Sequence, residues 1–181
     1  MNEFERKKVV EVVLYILNKI GGTDIYHLFK IIYFAEMKHL SKWGTRIIKD
    51  NLCAIKFGPV PTELYYAIKG ERNPELASLI HSSTEFAGDD APNVLLPKKT
   101  PNIDYLSKSD IEALDESIKE NATLTFDELK MKSHDKAWKE AYDNWKISNV
   151  ISPMTMASVM NADTVTLEYI KEQMDLEKML L

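Results

Sequence analysis

The sequence predicts a mainly α-helical (α+β) protein: a compact helical domain around a buried central helix, with a small antiparallel β element. Over most of the chain, apolar residues recur at spacings of three and four, the pattern of an amphipathic helix. One stretch, roughly Ile25 to Lys42, is apolar around most of its circumference, which is typical of a helix buried among others. Strand-like alternation is confined to one short segment. At 181 residues, the chain predicts one domain over residues 1–181, since domains average about 150 residues.

Two helices are predicted in the first 45 residues. The first covers residues 4–19 and ends at Gly21-Gly22, because glycine tolerates the left-handed conformation of a helix C-cap. Thr23 or Asp24 can cap the second helix by accepting a backbone N–H bond. Trp43-Gly44 ends that helix.

The β element is predicted between residues 47 and 57. Alternation there favours a strand whose buried side carries Cys53, Ile55 and Phe57. Gly58-Pro59-Val60-Pro61 is expected to end that strand, because proline has no N–H to donate, and to lead into a short helix capped by Thr62. Residues 71–91 show only weak periodicity, and Val94-Leu95-Leu96 is a candidate partner for the strand.

Four helices are predicted in the second half. The first two begin at capping boxes, Ser109-x-x-Glu112 and Thr125-x-x-Glu128. Ser133 or Asp135 can open a third, which carries Trp138, Ala141, Tyr142 and Trp145 on one side. A last helix over residues 165–179 places Leu167, Ile170 and Met174 on one face.

The charge balance bears on the kind of partner. Residues 1–70 hold eleven Lys or Arg against seven Asp or Glu, and residues 71–181 hold twelve against twenty-one, for a net charge of −5. This acidity disfavours nucleic-acid binding, which depends on neutralising many phosphates.

No run approaches the 20 or so apolar residues of a membrane span, and the one cysteine, Cys53, suits a reducing compartment. We therefore expect a cytoplasmic protein without a membrane partner.

Residues typical of catalysis or metal binding are sparse. The four histidines are scattered without metal-ligand spacing, and no nucleophile elbow, P-loop or dinucleotide fingerprint occurs. The sequence therefore predicts no enzyme activity, no metal and no cofactor. Trp138, Tyr142 and Trp145 are the candidate partner interface, since Trp and Tyr dominate binding energetics, although a core stripe would have the same spacing.

A set of short motifs carries a family resemblance. Lys30-Ile-Ile-Tyr-Phe-Ala35 is followed by His39-Leu40 and Trp43-Gly44, and then by Ala54-Ile-Lys-Phe-Gly-Pro-Val-Pro61. Further on, Ser133-His134-Asp135 precedes Ala137-Trp138. Together they resemble the Panacea domain of SocA-like antitoxins, a family that also includes phage-associated GepA-like proteins. The resemblance runs from about Gly22 to Tyr142, which leaves 143–181 as a C-terminal helical extension. The motif residues that we interpret as structural are Lys30, Tyr33, His39, Gly58, Pro59, Val60 and Pro61.

The resemblance implies an antitoxin that neutralises a cognate toxin by direct binding, the toxin being encoded by a neighbouring bacterial or phage gene. It implies a mostly helical fold and no catalytic centre. The founding member also acts as a proteolytic adaptor, delivering its toxin to an ATP-dependent protease. From charge alone, the acidic residues 71–181 would attract a basic toxin.

Two other functions remain open at this stage. The two N-terminal helices and their Gly-Gly turn allow a DNA-binding or phage-associated regulatory protein, although residues 25–42 are too apolar to read base edges. A hydrolase built on His39 or His134 is the third hypothesis.

Overall fold

The computed structural model describes residues 1–179, and its secondary structure is mainly helical, as the sequence predicts. The N-terminal half contains α1 (Glu3–Ile20), β1 (Thr23–Asp24), α2 (Ile25–Trp43), β2 (Leu52–Ile55), β3 (Gly58–Pro61), α3 (Thr62–Lys69), α4 (Pro74–Ser83), β4 (Thr84–Phe86) and β5 (Val94–Pro97). The C-terminal half contains a 3₁₀ turn (Ile103–Tyr105), α5 (Lys108–Asn121), α6 (Phe126–Ser133), α7 (Lys136–Asp143), α8 (Pro153–Val159) and α9 (Thr164–Met179).

Helix α2 is the centre of the core. Its residues from Leu28 to Met37 are all buried, including Lys30 and Glu36. One side of α2 packs against α1, α3, α4 and α5, and the other packs against β2 and α6 to α9. An apolar surface this wide is buried only when neighbours surround the helix, which confirms the prediction for residues 25–42.

Most helix ends follow local signals in the sequence. Gly21 and Gly44 adopt the left-handed conformation at the C-caps of α1 and α2, and Asp24 accepts a bond from the His27 N–H. Thr125 and Asp135 cap α6 and α7 as predicted. The capping box of α5 was placed wrongly, because Ser107 and Asp110 form it rather than Ser109 and Glu112.

The GPVP motif forms a strand, which corrects the expectation that it ends one. β2 and β3 make an antiparallel hairpin in which Cys53 faces Val60 and Ile55 faces Gly58. The Thr62 N–H donates to Asn51 O over 2.9 Å, so the hydrogen-bonding positions of β3 are the even-numbered residues. Pro59 and Pro61 fall on the other positions, where a strand at a sheet edge needs no N–H donor.

The predicted burial of the strand that became β2 was only partly correct. Leu52 and Ala54 lie in the core, whereas Phe57 belongs to the hairpin turn and is exposed. Cys53 is buried, as predicted, and the segment at Asn149 to Ile151 pairs with the free edge of β2. Alternation cannot indicate the inner face of a strand that is covered on both sides.

The second sheet differs from the expected pairing. β5 pairs with β1 and β4 in the order β1-β5-β4, and not with β2. Residues 71–91, for which no element was predicted, contain α4 and β4. Asn73 caps α4 and Pro74 opens it, a local signal that weak periodicity concealed.

Helix α3 takes its N-terminal cap from a distant residue. Thr62 was the expected cap, but its hydroxyl donates to Asn51 O. The buried Asp50 carboxylate instead accepts the Glu63 and Leu64 N–H bonds, each over 2.9 Å.

Among residues 1–179, no helix has the length and apolar character needed to cross a bilayer.

Candidate functional site

Lys30 links the central helix to the hairpin. Its side chain is fully buried, and its ammonium group donates to Pro59 O over 2.9 Å. The same nitrogen lies 4.3 Å from the centre of the Tyr26 ring, a cation–π contact. Burial lowers the pKa of Lys30 to about 7. The motif lysine therefore fixes the position of β3 against α2.

Gly58 allows the hairpin to approach α2 and α6 closely. Its φ is +104°, a conformation that residues with a Cβ rarely adopt. A Cβ at this position would lie 2.7 Å from Ser133 Oγ and 2.9 Å from Lys30 Cε. The motif glycine, lysine and serine thus meet at one point, although they are distant in sequence.

Tyr33 and Asp135 connect α2 to α7. The Tyr33 hydroxyl donates to Asp135 Oδ2 over 2.7 Å, and Asp135 Oδ1 accepts the Trp138 backbone N–H over 2.9 Å. Burial, together with the charge of Asp135, raises the pKa of Tyr33 well above its usual value. The Trp138 indole N–H donates to Ile55 O over 3.0 Å, so α7 is also bonded to the hairpin.

His39 lies elsewhere on α2. Its ring nitrogens contact Thr45 O at 2.6 Å and Ser109 Oγ at 3.1 Å, which joins the end of α2 to the start of α5. Burial lowers its pKa. Glu36, three residues before it on α2, accepts the Ile47 and Ile48 N–H bonds, over 3.0 and 2.8 Å. The motif histidine therefore supports the loop after α2 rather than the hairpin.

Three aromatic rings are stacked along α6 and α7. The His134 and Trp138 rings lie 3.7 Å apart and almost parallel, and Trp138 and Tyr142 are 4.6 Å apart at 19°. Because these residues are four apart, the rings stack along the direction of the helix. Trp138 is only 9% exposed, so it is a structural anchor rather than a free contact residue.

Exposed large apolar side chains occur in the hairpin turn that Trp138 is bonded to, at the start of α6 and in the segment after α7. The Phe57 ring in the hairpin turn lies 6.1 Å from that of Phe126 at the start of α6. Trp145 and Ile147 follow α7, in the segment that leads to the residues paired with β2. We name these residues with Tyr142 the hairpin face; their exposed fractions are Phe57 45%, Phe126 43%, Tyr142 37%, Trp145 65% and Ile147 90%.

The structure brings together only part of the interface predicted from sequence. Tyr142 stacks on Trp138, while Trp145 projects into solvent. Sequence reasoning missed Phe57, Phe126 and Ile147. Phe126 was detectable as a bulky apolar residue directly after the capping Thr125. Phe57 was assigned to the core because the position of the turn was unknown.

The chemistry of the site suits recognition of a protein surface. Burial raises the pKa of the Cys53 thiol, which lowers its reactivity. Within the described residues, no three His, Cys, Asp or Glu side chains are grouped so as to hold a metal ion. A rigid cluster of exposed rings is instead the composition of a protein-binding hot spot.

The comparison with protein families agrees with the motif geometry. The family described as "Antitoxin SocA-like, Panacea domain" matches residues 28–139, more than half of the chain. The chain belongs to this family. The matched region of the Panacea domain starts six residues later and ends three residues earlier than the resemblance predicted from sequence. No curated protein and no solved structure matches the chain significantly.

The Panacea match includes every motif residue that converges on the hairpin. It extends from α2 into α7, with α1, α8 and α9 outside it. Phe57 and Phe126 of the hairpin face fall inside the match, whereas Tyr142, Trp145 and Ile147 follow it. The face therefore lies across the boundary between the family domain and the C-terminal residues.

Three buried ionisable groups of the Panacea core give it a defined pH dependence. Burial raises the pKa of Glu36 from 4.5 to about 7 and that of Asp50 from 3.8 to about 6. At a pH between the ordinary pKa of each carboxyl group and its raised pKa in the folded state, the folded protein holds more protons than the unfolded chain. The free energy of unfolding therefore falls as pH rises towards 7. Lys30 has the opposite effect, because burial lowers its pKa from 10.5 to about 7. Between pH 7 and pH 10.5 the unfolded chain holds the extra proton, so the free energy of unfolding rises with pH.

We therefore expect the free energy of unfolding to have a local minimum near neutral pH. Urea denaturation in steps from pH 5 to pH 10 measures it, and each group contributes a slope of at most about 1.4 kcal/mol per pH unit. Glu36→Gln should reduce the slope below pH 7, and Lys30→Met should reduce the slope above it. Unchanged slopes in both variants would contradict these assignments.

Proposed function

We propose that this protein is an antitoxin that neutralises a cognate toxin by binding it directly through the hairpin face. Membership of the SocA-like antitoxin family supports the general role. The observation that carries the proposal is the group of five exposed apolar side chains around the Trp138 stack. We expect these side chains to form one apolar surface, which on a globular chain typically marks an interaction site.

The face is well suited to tight binding because its support is rigid. Trp138 is fixed by stacking on both sides and by its bond to Ile55 O. Phe57 sits in a turn whose next residues are tied to Lys30. A preorganised face loses less side-chain entropy when it binds, so more of the contact energy remains as affinity.

The division between motif and contact residues fits a family whose members neutralise different toxins. Lys30, Tyr33 and Gly58 are buried and hold the scaffold. The exposed rings lie around that scaffold and can differ without disturbing it. Toxin specificity would then reside in residues such as Tyr142 and Trp145, whereas the motif preserves the geometry.

Co-expression with the toxic product of the neighbouring gene tests the proposal. The wild-type chain should restore growth and co-purify with that product in a fixed ratio. Tyr142→Ser with Trp145→Ser should weaken the complex by about 100-fold or more, since a hot-spot residue contributes about 2 kcal/mol or more. Ile103→Ser with Val165→Ser is the matched control, because these residues are 57% and 75% exposed and lie outside the hairpin face.

The outcomes separate the parts of the proposal. Full rescue by the Tyr142 and Trp145 variant would show that binding uses another surface. A neighbouring product that the wild type neither binds nor neutralises would contradict the antitoxin function. The half-life of the toxin distinguishes masking from delivery to an ATP-dependent protease, since only delivery shortens it.

A further inference from the structure

We propose that the hairpin face binds an acidic segment of its protein partner, in which an apolar anchor is flanked by Asp or Glu. The partner is the toxin only if the proposed function holds. The chemistry of the segment rests separately on the charges around the face.

Two lysines lie close to the Phe57 ring. Lys56 Nζ is 5.5 Å from the ring centre and Lys130 Nζ is 5.8 Å from it. Neither ammonium group has a carboxylate within 4.0 Å in the described part of the chain, and the same holds for Lys146, between Trp145 and Ile147. Three unpaired cations therefore lie among the exposed apolar side chains.

The carboxylates of the same region are mostly engaged within the protein. Glu140 pairs with Lys136, and Asp143 pairs with Lys139. Asp135 accepts from Tyr33 and the Trp138 N–H, and Glu128 accepts from Thr125 in the capping box. Asp127, next to Phe126, is the exception and makes no such pair in residues 1–179. Positive charge is thus local to the Phe57 ring, where Lys56 and Lys130 lie without an ion-pair partner, on a protein whose net charge is −5.

The hairpin face has exposed apolar rings with lysines beside them. A partner segment with an apolar side chain between two carboxylates would complement it, because the apolar groups would meet and the opposite charges would pair. Pairing at the rim of an interface raises the association rate and selects among partners, while the buried rings supply most of the affinity. The overall acidity of residues 71–181 predicts a basic partner, whereas the two lysines beside the Phe57 ring predict an acidic segment at the point of contact.

Single-stranded nucleic acid fits the face less well. Base recognition of that kind uses free aromatic faces on which successive bases stack. Here both faces of the Trp138 ring are occupied, by His134 and Tyr142. Three cations also neutralise few phosphates, which makes binding weak at physiological salt.

Selection from a phage-displayed library of random peptides on the immobilised full chain tests this inference. We expect the enriched peptides to carry Asp or Glu beside Leu, Phe or Trp. Their binding should weaken about ten-fold between low and physiological salt. Lys56→Glu with Lys130→Glu should weaken it by about 30-fold or more, since it replaces attraction by repulsion. The matched control, Lys108→Glu with Lys171→Glu, changes the net charge equally at exposed sites outside the face and should leave binding unchanged.

Three results would overturn the inference. One is a set of enriched peptides without acidic residues, and another is retention of those peptides by the Lys56 and Lys130 variant. The third is tight binding of a labelled oligouridine at physiological salt in place of peptides. None of them depends on the identity of the toxin, so failure here is distinguishable from failure of the co-expression experiment, which alone decides the antitoxin function.

Discussion

Gly58→Ala is expected to lower the free energy of unfolding by about 3 kcal/mol or more. Two costs combine at this position. The backbone has a φ of +104°, and the new Cβ would overlap Ser133 Oγ at 2.7 Å and Lys30 Cε at 2.9 Å. Lys30 has little freedom to move away, because its amine is bonded to Pro59 O in the core. Urea denaturation followed by circular dichroism measures the loss.

Gly88→Ala is the matched control for this prediction. Gly88 has a φ of +102°, but a Cβ there would meet nothing within 4 Å. In the control, the free energy of unfolding should fall by about 1 to 2 kcal/mol, because only the strained backbone conformation contributes. Equal losses in the two variants would mean that the close approach of hairpin, Lys30 and α6 contributes nothing to stability.

Trp138→Ala is expected to cost about 3 to 5 kcal/mol, as for other buried aromatic residues. The indole is 9% exposed and packs between the His134 and Tyr142 rings. Its loss leaves a cavity between α7 and the hairpin and removes the partner of Ile55 O. Trp138→Phe keeps most of the packing but not the N–H donor, so we expect an intermediate loss of about 1 to 3 kcal/mol.

Trp145→Ala serves as the control for the same residue type. Trp145 is 65% exposed, so its removal should change stability by less than about 0.5 kcal/mol. Under the proposed function, it should nevertheless weaken toxin binding. A large stability loss in Trp145→Ala, or none in Trp138→Ala, would reverse the roles that the structure gives to the two indoles.

The sequence was most informative where the structure depends on neighbouring residues. The cap Thr125 and the stop at Gly44 were identified correctly, and Asp24 and Asp135 were each one of two candidate caps, because capping acts over three or four residues. The buried character of α2 was equally clear from its composition. In contrast, the carboxylates of Asp50 and Glu36 bond backbone groups more than ten residues away, which no local pattern reveals.

The site was harder to predict than the fold. Tyr142 and Trp145 were proposed from the sequence because Trp and Tyr near a helix end are conspicuous, and their contact with a partner stays a prediction. Phe57 and Phe126 were missed because their exposure depends on where the hairpin turns and how α6 meets it. Conversely, Trp138 belonged to the predicted interface but is buried, because its N–H reaches the hairpin backbone.

The sequence by itself determined the helical class, most helix boundaries and the family motif, since spacing and capping are local properties of the chain. Only the tertiary structure decided the pairing of β2 with β3 and of β5 with β1 and β4, the burial of Lys30, and the assembly of the hairpin face. The pairing of β5 with β1, the contact of Lys30 with Pro59 and the hairpin face join residues that are tens of positions apart, and their positions depend on the packing of α2 with its neighbours. The motif specifies the scaffold, and packing around that scaffold determines which rings reach the surface.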